Sequence, residues 1–85
     1  MKLNKKQTKT LSDINSEPTK KNINWKDIES LVNALGGIID QGNGSRVRFF
    51  LNDVVAVFHC PHPQKETPSY VVKNVREFLV KAGIK

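Results

Sequence analysis

Residues 44–60 read GSRVRFFLNDVVAVFHC: two β-prone runs flanking Asn52-Asp53, a pair of residues that signals a tight hairpin turn. With that turn, positions whose numbers sum to 105 lie opposite one another, so Leu51 faces Val54, Phe49 faces Ala56 and Val47 faces Phe58. Those six apolar residues share one face and must point at a core. The other face pairs Phe50 with Val55, Arg48 with Val57 and Arg46 with His59. It is an open platform carrying two guanidinium groups and an imidazole beside an aromatic ring, a combination suited to RNA phosphates and bases.

Working outward from this hairpin, residues 37–41 (GIIDQ) form a further short β-prone run, so the expected strands are 37–41, 45–51 and 54–60. Gly42-Asn43-Gly44 is a second hairpin signal between the first two. Upstream, NWKDIESLVNALGG (24–37) predicts a helix capped by Asn24, with Asp27 well placed in its first turn and Gly36 and Gly37 ending it. Trp25, Ile28, Leu31, Val32 and Leu35 recur with the 3.6 period and define its buried face. Downstream, TPSYVVKNVREFLVKAG (67–83) predicts a second helix with Thr67 as N-cap, Pro68 at the first helical position and Gly83 past the end. Its apolar stripe is Val71, Val75, Phe78, Leu79 and Ala82.

The order α-β-β-β-α over residues 24–85 is an α+β domain, a three-stranded antiparallel sheet with two helices on one face. Residues 1–23 form a basic extension, with lysines 2, 5, 6, 9, 20 and 21 against Asp13 and Glu17. A short helix from about Leu3 to Asn15 is expected there, since Leu11 and Ile14 are three apart and Pro18 stops it. The helix beginning near Trp25 has its own cap, so the extension is expected to be removable without unfolding the domain.

Composition narrows the function. A single domain of 85 residues argues against an enzyme with a deep pocket, and a net charge of +6 with pI near 9.7 favours a polyanionic partner. Nucleic acid comes before membrane, because no lipidation motif or amphipathic anchor accompanies the charge. Cys60 is the only cysteine, which excludes an internal disulfide or a cysteine-rich zinc site and suggests a cytoplasmic protein. The lysine-rich start lacks the apolar run of a signal peptide or membrane span.

Each candidate site has a plainer reading beside it. Arginines on the wet face of a sheet commonly serve only solvation, and Phe50, Val55 and Val57 could be covered by residues 1–15 or by a partner protein. His59 and His62 flank a proline-stiffened stretch, FHCPHPQKETP, but two histidines with one thiol between them give no closed ligand set, so no metal is expected. Pro61-His62-Pro63 reads as a stiff connection from the third strand to the last helix.

The amphipathic helix, Gly44-Ser45 opening a strand, the hairpin, Pro61-His62-Pro63 and the closing helix through Ala82-Gly83-Ile84 together resemble the HicA family, small toxins of bacterial and archaeal toxin-antitoxin pairs. The likeness covers about residues 24–84. It implies a fold like the double-stranded-RNA-binding domain and an endoribonuclease, an mRNA interferase, that cuts messenger RNA without metal or cofactor and is neutralised by a HicB-like antitoxin. The family's strand motif is typically Gly-Ser-His, with the histidine catalytic; here the matching position is Arg46.

Metal-free RNA cleavage needs a base for the 2′-hydroxyl proton, cations for the phosphate charge and an acid for the leaving oxygen. Arginine stays protonated and cannot be the base, whereas an imidazole can. The expected catalytic set is therefore His59 as base, Arg46 on the phosphate and His62 as candidate acid, with Ser45, Arg46, Arg48 and Phe50 as RNA contacts. Two other readings stay open: a noncatalytic RNA-binding module of the same fold, and a protein-interaction module docking an antitoxin-like partner through Phe50, Val55 and Val57.

Overall fold

Asn52 and Asp53 both take left-handed backbone angles, with φ of 49° and 67°, as a two-residue type I′ turn requires. The computed structural model, which describes residues 3–42, 46–59 and 66–84, shows the hairpin in the expected register, from Leu51 opposite Val54 to Arg46 opposite His59. Its strands are β2 (Arg46–Leu51) and β3 (Val54–His59). β1 (Ile38–Gln41) pairs antiparallel with the free edge of β2, giving the sheet order β1-β2-β3. Burial along β2 alternates strictly, with Val47, Phe49 and Leu51 inside and Arg46, Arg48 and Phe50 outside.

Three helices complete the α+β fold: α1 (Lys5–Ile14), α2 (Trp25–Ala34) and α3 (Ser69–Lys81). The arrangement is consistent with a double-stranded-RNA-binding-domain-like fold. α2 packs against β1 and α3 against β3, and all the apolar positions expected on both helices are buried. At the centre, the Trp25 ring stacks on Phe49 with centroids 5.5 Å apart, while Phe58 lies 4.9 Å from Phe49. The Asn24 side chain accepts from the Lys26 N–H at 3.0 Å, capping α2 as expected.

Both α2 and α3 end in the same way. Gly36 N–H donates to the Asn33 carbonyl and Gly37 N–H to Val32, and the pattern recurs from Gly83 to Val80 and from Ile84 to Leu79. These are Schellman endings, in which a residue of positive φ satisfies the last carbonyls; Gly36 and Gly83 supply φ of 93° and 85°. The hairpin turn is tied to one of these ends, since the Asn52 amide donates to the Ala82 carbonyl at 2.8 Å.

The start of α3 differs from expectation by one residue. Pro68, extended with φ −59° and ψ 150°, occupies the N-cap and makes no side-chain cap bond, and the helix begins at Ser69. Thr67 is fully buried, and its N–H donates to the Ile23 carbonyl at 2.7 Å. That bond pins Thr67 to the chain leading into α2, so winding starts after it.

The extension is helical, with a capping box between Asn4 and Gln7. It is also more embedded than the sequence led us to expect. Ile14 is wholly buried, Ile23 is nearly so, and both belong to the same core as α2, α3 and the sheet. Arg76 on α3 fastens the segment that follows α1: its guanidinium donates to the carbonyls of Ile14 at 2.9 Å and Ser16 at 3.0 Å, to Thr19 Oγ1 at 3.3 Å and to Glu17 at 2.8 Å. Upstream residues thus supply part of the packing that the pattern alone assigns to residues 24–85.

Candidate functional site

The outward face of the sheet is ruled into rows by the two registers. Ile38, Phe50 and Val55 form an apolar row beside the hairpin turn; Asp40, Arg48 and Val57 form the middle row; Arg46 and His59 close the far end. Ile38 is 65 % exposed, Val55 and Val57 are each 56 % exposed, and Phe50 is 37 % exposed. α1 does not cover them, because it packs against α2 and α3 on the far side of the sheet. The face is open among the described residues.

Arg46 and His59 are both exposed and lie directly across from each other. Gly42 N–H donates to the Arg46 carbonyl at 2.8 Å, so the backbone groups of Arg46 turn towards β1 and away from β3. The Arg46–His59 pair is then of the non-hydrogen-bonded kind, in which Cα atoms approach to about 4.5 Å and the side chains stand closest. A shallow depression of about 320 Å³ opens beside it, lined by Gly42, Arg46, Arg48 and Val57.

Arg48 is not a lone cation. Its guanidinium forms an ion pair with Asp40 of β1, directly opposite it. Neither Asp40 nor Ile38 was singled out from the sequence as part of the face, and both stand on it. GIIDQ carries no signal for it, since Asp40 shares the side of Ile38 but Ile38 and Ile39 are equally apolar and either could face the core. Ser45, Cys60 and His62, with Pro61 and Pro63, lie outside the described residues, so the site as described holds Arg46, Arg48, Phe50 and His59 of the expected set.

Among the described residues no helix is long and apolar enough to cross a membrane. No curated protein and no solved structure matches the chain. A family model described as the HicA toxin of bacterial toxin-antitoxin matches residues 25–84, which takes in α2, the whole sheet and α3. The chain therefore belongs to the HicA toxin family, the toxin half of bacterial toxin-antitoxin pairs, and that membership implies an antitoxin partner.

Proposed function

We propose that this chain is a cytoplasmic toxin that cleaves messenger RNA without a metal ion and is held in check by a HicB-like antitoxin. The observation that carries the reading is the Arg46–His59 pair on the exposed face, which brings an always-charged group beside one that can gain and lose a proton. In this reaction the neutral His59 imidazole takes the 2′-hydroxyl proton as that oxygen attacks the adjacent phosphorus. The bond from phosphorus to the 5′-oxygen breaks, and the leaving oxygen takes a proton from an acid, for which His62 is the proposed donor. Arg46 neutralises the phosphate charge that builds up during attack. Phe50 offers a ring on which a base can stack, and Ser45 is a further proposed contact. Where the family's strand motif has histidine, this chain has Arg46, so the base has moved across the hairpin.

The test is to induce the chain alone in cells, map messenger-RNA ends, and repeat cleavage with purified protein in excess chelator. His59→Ala should lower the cleavage rate about a hundred- to ten-thousand-fold while sparing RNA affinity and folding. Arg46→Ala should weaken both affinity and rate, and Arg46→His should raise activity by returning the family's residue. A His59→Ala protein that cuts as fast as the parent sinks the assignment.

A second reading has its own support in the apolar row of Ile38, Phe50 and Val55, which suits a protein partner better than a phosphate backbone. In that case the face docks the antitoxin, and the chain binds RNA without cutting it or not at all. Cleavage of RNA by the purified chain separates the two.

A further inference from the structure

Asp40 is an odd residue for its position. Aspartate is disfavoured in strands, β1 has only four residues, and this carboxylate shares its face with Arg46, Arg48 and His59. Its single side-chain partner among the described residues is Arg48, and both are solvent-exposed, at 44 % and 50 % of the side chain. Arg48 borders the depression shared with Arg46. The carboxylate therefore occupies a guanidinium that points along the same face as the Arg46–His59 pair.

We propose that Asp40 is an internal stand-in for a phosphate: it holds Arg48 and so limits the affinity of this face for RNA. The inference rests on the RNA reading above and extends it to a residue that opposes binding. An incoming phosphate must displace the carboxylate before Arg48 can contribute, so the gain from the new contact is offset by loss of the old one. An exposed pair of this kind biases an equilibrium by only about two- to fivefold, which is weak enough for a strand of RNA to break and strong enough to measure. The same carboxylate repels any phosphate that passes without breaking the pair.

The experiment measures binding of the full chain to a 2′-O-methyl RNA oligonucleotide, which cannot be cleaved through its blocked 2′-oxygen, across a range of salt concentrations. Asp40→Asn keeps the side chain's shape and removes its charge. It should bind about two- to fivefold tighter than the parent at low salt. Its log-log salt slope should steepen by about 0.7, the signature of one more phosphate contact on a single strand. Because the effect runs mainly through Arg48, Asp40→Asn should give a clearly smaller gain in an Arg48→Ala background, where only repulsion by the carboxylate is removed. If the parent binds RNA and Asp40→Asn does not change affinity or slope, the stand-in is overturned while the RNA reading survives. An equal gain in the Arg48→Ala background also overturns it, showing plain charge repulsion. A lower melting temperature without any change in RNA affinity reduces the pair to a cross-strand structural contact. If neither parent nor variant binds RNA, both inferences fall together.

Discussion

Replacing Ile14 by alanine is the most direct measure of how far the extension belongs to the fold. Ile14 is fully buried, sits at the last position of α1, and has its carbonyl held by Arg76, 62 residues further along. The substitution deletes three carbons from a closed core, a change that costs about 2–5 kcal/mol depending on how far the surroundings collapse. A chain of this length has only about 4–13 kcal/mol of total stability, so the loss is a large share. The assay is urea unfolding followed by the fluorescence of Trp25, the only tryptophan, which is stacked on Phe49 and nearly buried. With a slope of about 1–3 kcal/mol per molar urea, a loss near 3 kcal/mol lowers the midpoint by about 1–3 M. A loss below about 0.5 kcal/mol, the range of an ordinary surface substitution, would refute the reasoning. It would mean that α1 undocks freely and that residues 24–85 close their own core.

Two further outcomes follow from local geometry. A Cβ at Gly37 would lie 2.6 Å from Val32 Cγ1 and 2.9 Å from the carbonyl oxygens of both Val32 and Phe50, so Gly37→Ala should push β1 off its neighbours and cost about 1–3 kcal/mol. An alanine variant with the parent's urea midpoint would contradict that packing. Lys20 and Lys9 both donate to the Asp13 carboxylate, at 2.9 and 3.0 Å, and hold its carboxyl below the usual carboxylate range. A folded-state value below the unfolded one stabilises the protein at pH above the unfolded value, about 3.9, and that contribution disappears as pH falls through the folded value. The melting temperature of the parent should therefore exceed that of Asp13→Asn near neutrality and converge with it in acid. A difference that stays constant with pH would disprove the linkage.

The hairpin was legible because its turn residues and its alternation agree. Asn52 and Asp53 tolerate positive φ, and a one-residue slip would have turned Val47, Phe49 and Leu51 to solvent, so only one register buried them. The stripes of α2 and α3 were legible for the equivalent reason at the helical period. The helix of the extension was legible as well, but its docking was not, because that helix is mostly polar and Ile14 gains its place from groups distant in sequence. The four bonds from Arg76 to Ile14, Ser16, Glu17 and Thr19 span about sixty residues of chain and leave no local pattern.

The site was half legible for a reason of the same kind. Arg46, Arg48, Phe50 and His59 share a face by virtue of β2 and β3 alone, but β1 joins them through residues whose sequence does not choose a side. Ile38 and Ile39 are adjacent and both apolar, so either could face the core, and the choice decides whether Asp40 points inward or outward. Gly37, pressed between Val32 and the Phe50 carbonyl, and Gly42, bonded to Arg46, settle it by placing the two ends of β1 against β2. Ile39 then packs against the core while Ile38 and Asp40 turn out. The consequence is electrostatic. With Arg48 paired to Asp40, the described face keeps one uncompensated guanidinium, Arg46, and much of the chain's positive charge lies in lysines elsewhere, several of them on α1 and the segment after it. If the proposed RNA reading holds, long-range attraction of the polyanion would come in large part from those lysines, although Lys6, Lys9 and Lys20 are themselves paired with Asp27 and Asp13. Contact at short range would then depend on Arg46, on His59, and on whether Arg48 is released.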